Sequence, residues 1–98
     1  MSVYTLGVWL VKDGRERDFI GAWEALGQWT LEQGFPTHGT LLRDHASPQR
    51  FVSFGPWPSV EHAERWRADP GFAERLERII ETVERFEPGT YDAVLSVG

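Results

Sequence analysis

Trp66 stands in the run Ser59-Val60-Glu61-His62-Ala63-Glu64-Arg65-Trp66-Arg67-Ala68-Asp69-Pro70-Gly71-Phe72. It is one of five tryptophans in a cysteine-free chain of 98 residues. An indole is a flat, largely apolar plate, and each one can bury a large area. A small domain with this many either has a heavily aromatic core or lines a pocket with rings. For any single tryptophan, plain core packing is the competing reading. As a set they suggest a cavity suited to a flat apolar ligand.

Other chemistries find no footing. Without cysteine there is no disulfide framework, thiolate zinc site or cysteine nucleophile. The chain has no G-x-G-x-x-G, P-loop, H-E-x-x-H or S-x-x-K motif. Gly14-Arg15-Glu16 and Pro88-Gly89 read as turn and cap chemistry. Glu74, Arg75, Glu77, Arg78, Glu81, Glu84 and Arg85 read as a solvated helix face, and His62 as a surface helix residue. A net charge of −5 argues against nucleic acid or an anionic membrane as partner. No stretch approaches the roughly 18 apolar residues of a membrane span, and no signal-peptide core is present. A soluble cytoplasmic protein is the expectation, and the length suits one domain over 1–98.

The elements that must carry these residues follow from pattern. Val3–Val11 is dense in β-branched and aromatic residues and reads as a strand. Asp13 offers an N-cap, with Glu16 three residues on to complete a capping box. Phe19, Ala22, Trp23, Leu26, Trp29 and Thr30 then mark one face of a helix, which Gly34 closes and Pro36 prevents from continuing. Residues 37–44 and 50–55 read as strands joined by the polar turn His45-Ala46-Ser47-Pro48-Gln49, an antiparallel hairpin. Ser59 caps the Trp66 helix. Asp69 caps another, with Pro70 at its first position and Phe72, Leu76, Ile79, Ile80, Val83 and Phe86 as its apolar stripe, ended by Pro88-Gly89. Residues 90–97 alternate with period two and read as the last strand.

The expected fold class is therefore α+β. The order is ferredoxin-like β-α-β-β-α-β, with a four-stranded antiparallel sheet and helices on one face. Both sheet faces want burial, however. Val3, Trp9 and Val11 point one way, and Tyr4, Leu6, Val8 and Leu10 the other; Phe51 opposes Val52 and Phe54 in the same manner. One chain has helices for one face only, so a homodimer, sheet against sheet, is expected.

Three blocks carry a family resemblance: Phe19-Ile20-Gly21-Ala22-Trp23; Leu41-Leu42-Arg43-Asp44 through Ser47-Pro48 to Arg50-Phe51-Val52; and Trp57-Pro58-Ser59-Val60-Glu61-His62-Ala63 on to Trp66 and Asp69-Pro70-Gly71-Phe72. In this order and spacing the chain resembles the antibiotic biosynthesis monooxygenase family, which forms dimeric α+β barrels. The resemblance covers quinol and anthrone oxygenases, heme-degrading enzymes, isomerase-like relatives and domains with no known reaction. Heme-degrading members use an Asn on the first strand, a Trp after the third, and a His four residues after the Phe that follows. Trp66 matches, but Gly7 stands at the Asn position and Leu76 at the His position, which leaves no evident axial ligand for iron.

The branch that needs no metal, flavin or other cofactor fits better. By resemblance it oxidises polycyclic phenols or hydroquinones with molecular oxygen. Such chemistry asks for a dry flat pocket, a proton acceptor, and a donor or cation to hold the resulting anion. Trp66, Phe72, Trp29 and Trp9 could build the walls, and Gly7 would leave room above the sheet. Arg43 could hold an oxyanion, and His38 is the proton acceptor by type. Each has a plainer reading. Trp29 and Phe72 lie on helix core stripes, His38 would be solvated at the start of a strand, and Arg43 could pair with Asp44 or Asp92. A small aromatic ligand is the implied partner; a non-catalytic small-molecule-binding barrel of the same fold is the alternative.

Overall fold

The computed structural model describes residues 2–98. The elements run β1 (Val3–Val11), α1 (Glu16–Glu32), β2 (Thr40–Arg43), β3 (Arg50–Trp57), α2 (Val60–Ala68), α3 (Pro70–Ile80) and β4 (Val83–Asp92). All strand pairs are antiparallel, in the order β2-β3-β1-β4. This is the ferredoxin-like arrangement, with the second helical region in two pieces. No helix among the described residues is long and apolar enough to cross a membrane.

β1 sets the two faces of the sheet. Val3, Thr5, Gly7, Trp9 and Val11 are buried, while Tyr4, Leu6, Val8 and Leu10 are half-buried on the opposite face. The inner face meets the helices. Val11, Phe19, Phe51 and Ile79 lie wholly inside, with Trp9, Leu26, Trp29, Phe72 and Val83 around them. A smaller cluster of Val3, Trp57 and Ala63 fills the other end, and Phe35 and Trp66 pack against both clusters.

The caps of the second half lie where the sequence puts them. The Ser59 hydroxyl accepts from the His62 N–H (3.3 Å), and the Asp69 carboxylate from the Gly71 N–H (2.8 Å), with Pro70 at the start of α3. At α1 the expectation fails. Asp13 is not the N-cap: Gly14 turns the chain with φ +83°, Arg15 occupies the cap position without a side-chain capping bond, and Glu16 reaches back to the Gly14 N–H at 3.2 Å. Gly34, with φ +79°, does end the helix.

Boundaries of β2, β3 and β4 also shift. Residues 37–39 do not join β2, which begins at Thr40; they pass over Gly55 too closely for regular pairing. β3 runs on to Trp57, two residues past Gly55. The largest difference concerns the last helix. α3 stops at Ile80 because the Thr82 N–H and hydroxyl both donate to the Ile79 carbonyl (2.9 and 2.7 Å), while the Lys12 N–H takes the Thr82 carbonyl (2.9 Å). Val83 and Phe86 therefore belong to β4, as do Glu84 and Arg85, which the sequence places on a helix face.

Their spacing of three has a physical cause. The register shifts between Leu10 and Val11, so that Arg85 faces Leu10 but Val83 faces Val11. A β-bulge at Glu84 thus turns both Val83 and Phe86 to the inner face, imitating a helical stripe. Pro88 and Gly89, read as a helix terminator, lie mid-strand opposite Gly7 and Leu6; proline is admissible there because β4 is an edge strand. The strand ends at Asp92, and the supposed strand residues Val94, Leu95 and Val97 are exposed.

Candidate functional site

Midway along the inner face the side chains become small. Gly7 of β1 stands opposite Ser53 of β3 and Pro88 of β4, and Thr5 opposite Gly55 and Thr90. The helices span this stretch without filling it, leaving a cavity of about 350 Å³. Its floor is Thr5, Gly7, Ser53 and Gly55. α1 contributes Trp23, Leu26 and Thr30, α2 Trp66 and Arg67, and α3 Phe72 and Leu76. Trp9, Trp57 and Phe86 close the sides.

Two glycines are required by close approach. A Cβ on Gly7 would sit 3.0 Å from both Phe86 Cε1 and Trp9 Nε1, and 3.2 Å from Ser53 Oγ. A Cβ on Gly55 would run into the backbone carbonyl of His38. The bare α-carbon of Gly55 lets residues 37–39 cross the sheet, where the Thr37 hydroxyl donates to the Pro56 carbonyl, and this brings His38 to the cavity wall.

The indoles are fixed by their N–H groups. Trp9 Nε1 donates to Ser53 Oγ (2.9 Å) and Trp57 Nε1 to Thr5 Oγ1 (3.0 Å). Trp66 Nε1 donates to Thr30 Oγ1 (2.9 Å), which itself donates to the Leu26 carbonyl (2.7 Å). Each polar tip is thereby satisfied within the protein, which orients the ring and leaves apolar surface for the cavity. Trp66 lies between Trp57 and Phe72, with ring centroids at 5.1 and 4.5 Å. Trp9 stacks on Phe86 at 3.8 Å.

The structure brings Trp66, Trp9, Phe72, Gly7 and His38 together at this cavity. It does not bring Trp29, whose ring packs on Phe35, lies under the Arg75 guanidinium (5.0 Å) and abuts Gly71, forming core behind the wall. Nor does it bring Arg43. That residue sits on edge strand β2 opposite Phe51, over whose ring its guanidinium lies at 5.0 Å, and its Nε donates to the Pro48 carbonyl (2.8 Å). Neither carboxylate suggested by the sequence pairs with it; Asp44 faces Arg50 at 3.4 Å.

Sequence reasoning missed Trp23, Trp57, Thr30 and, above all, Arg67. The signal for Arg67 was slight: it stands one turn after Ala63, the buried residue of a largely polar α2. Its Nη1 donates to Thr90 Oγ1 (2.5 Å) and its Nη2 to the Gly89 carbonyl (3.3 Å), both on β4. Burial pushes its guanidinium pKa down from the ordinary value. With His38 and Glu24 it is one of three titratable side chains on the cavity wall.

No protein-family model and no curated protein sequence matches the chain. Solved structures do. SnoaB from Streptomyces nogalater, named as a cofactor-independent oxygenase, superposes with a TM-score of 0.87 at 20% identity, over 98% of this chain and 96% of that one. A structure named as an antibiotic biosynthesis monooxygenase gives 0.81 at 17% identity, over 95% and 99%. A conserved protein from Methanosarcina mazei gives 0.83 at 14% identity, over 93% and 91%. At such identities the likeness establishes a shared fold along nearly the whole of each chain.

Proposed function

We propose that this protein is a cofactor-independent monooxygenase of the antibiotic biosynthesis monooxygenase type, acting on a flat aromatic quinol or anthrone with molecular oxygen. The observation that carries the reading is the aromatic cavity beside Trp66, with His38, itself an exposed residue, among those that line it. The non-catalytic alternative is weakened because the interior beside Trp66 is open and the half-buried Arg67 is among the residues that line it. The fold shared with SnoaB supports the same reading.

Catalysis then runs on positioning and proton transfer. The substrate lies among the rings of Trp66, Trp57, Trp9 and Phe72, and His38 takes its phenolic or benzylic proton. For an anthrone, the resulting carbanion gives its electrons to oxygen and a C–O bond forms. The peroxide takes back the proton held on His38; loss of the carbon's second hydrogen then breaks the O–O bond, the outer oxygen leaving with both hydrogens as water and the inner oxygen remaining as the new carbonyl. The CH₂ carbon is oxidised, oxygen is reduced, and no external reductant enters. The apolar wall keeps bulk water from quenching the anion. The test is oxygen uptake by metal-free protein with a panel of anthrones and hydroquinones. Uptake that matches product carbonyl one for one is expected, and no uptake above the protein-free rate would refute the reading.

We further propose that a second copy covers the outer sheet face. Leu42, Phe54 and Tyr91 are exposed there, beside half-buried Leu6 and Val8. This apolar face has no helix of its own. Light scattering should give a dimer at micromolar concentration. Glutamate at Leu6 should cost solubility, whereas an exposed change at Glu77 should not.

A further inference from the structure

Arg67 stands out among the cations of the chain. It is half-buried and lines an apolar cavity, yet among the described residues no carboxylate lies within salt-bridge distance of it. Arg15, Arg50, Arg78 and Arg85, which do have carboxylate partners, are all at the surface. Glu24, on the same cavity wall, makes no ion pair with Arg67. A guanidinium has five N–H donors in a planar fork. Two of them go to neutral acceptors on β4, the Thr90 hydroxyl and the Gly89 carbonyl. These anchor the fork against the strand but leave its charge uncompensated. Taking a cation out of water is unfavourable unless an anion or a set of strong acceptors meets it.

The cavity is asymmetric as a result. The Thr37–Gly39 segment carries the His38 backbone past Gly55 of β3, and the Arg67 guanidinium is tied to β4, with β1 between them. The rest of the lining is largely apolar, and the indole N–H groups of Trp9, Trp57 and Trp66 are already satisfied within the protein.

We infer that Arg67 is an anion-holding subsite, so that the cavity selects flat aromatic molecules bearing an acidic oxygen group, a carboxylate or phenolate, held at its β4 side. The inference deepens the oxygenase reading by naming the substrate class, and it rests on that reading only for the step that follows binding. A guanidinium–carboxylate contact in a water-poor cavity is charge-assisted and directional, whereas the isosteric amide of the same ring system forfeits the charge term.

The experiment is a binding titration followed by tryptophan fluorescence, with anthracene carboxylate and anthracene carboxamide as probes. Wild-type protein should bind the acid at least about tenfold more tightly than the amide. Arg67→Met keeps an unbranched apolar stem and should erase that preference. Arg67→Lys keeps the charge without the fork and should retain part of the preference. Circular dichroism of each variant separates loss of the subsite from loss of the fold. A wild-type protein that binds the acid no more tightly than the amide overturns the inference. So does an Arg67→Met protein that is folded and still prefers the acid. Selective binding without oxygen uptake would keep the subsite and refute only the oxygenase reading, since the titration contains no catalytic step.

Discussion

The inner face of the sheet has two halves built to opposite ends. Toward the carboxyl end of β1, Trp9 and Val11 meet Phe51, Phe19, Ile79 and Val83, and the residues there are almost wholly buried. Two to four residues earlier on the same strand, Gly7 and Thr5 face Ser53 and Gly55, and the helices stand over open space. The same helices cover both halves. What differs is the volume of the strand side chains, so the cavity comes from small residues on the sheet rather than from any opening between helices. The contrast also separates roles: packing is concentrated around Trp9 and Val11 and in the smaller Val3–Trp57–Ala63 cluster at the far end, and the stretch between them stays unfilled.

The largest expected effect lies in the packed half. Phe19→Ala should cost about 3–5 kcal/mol in denaturant unfolding, since its ring is fully enclosed and its neighbours cannot collapse into the gap. Affinity for a flat aromatic ligand, per folded molecule, should be unchanged. A cost as small as that of an exposed substitution would erase the distinction between the halves.

Next comes filling the open half. Gly7→Val would push its methyl groups toward Phe86, Trp9 and Ser53 and should cost about 1–3 kcal/mol by overpacking. Calorimetric titration should show ligand binding abolished in the folded variant. Undiminished binding would place the ligand elsewhere.

The smallest effect on stability is expected at the boundary between the halves. Trp66→Phe keeps a ring between Trp57 and Phe72 but removes the N–H bond to Thr30, whose hydroxyl still donates to Leu26. The loss in stability should be about 1 kcal/mol. Oxygen uptake should fall by about tenfold, some 1.4 kcal/mol of barrier, if the indole orients substrate. A full rate per folded molecule would make Trp66 a core residue only.

How far the sequence discloses all this depends on whether a signal is local. β1 is legible to the residue because its composition and its two-faced pattern agree. The caps at Ser59 and Asp69 are legible because a cap is a short-range hydrogen bond. The end of α3 is not, because the bulge at Glu84 gives Val83 and Phe86 the spacing of a helix, and only pairing with Val11 and Trp9 reveals a strand. The site divides in the same way. Trp66, Trp9 and Gly7 are readable as rings and a gap on known faces. Arg43 misleads because its type suits an oxyanion, whereas edge position on β2 decides where it points. Arg67 looks like one more charge on a polar helix until β4 supplies Gly89 and Thr90 to hold it.

Pro88 has a consequence beyond the site. A strand at the margin of a sheet presents unsatisfied donors and acceptors that can recruit further strands and seed fibrils. At one margin, β2 is only four residues long. At the other, β4 is longer but lacks the donor at Pro88 and is kinked by the bulge at Glu84, so no incoming strand can form an unbroken ladder along it. Lateral growth is thus obstructed at both margins. In the proposed dimer, self-association uses the broad face instead, where it ends after one partner rather than propagating.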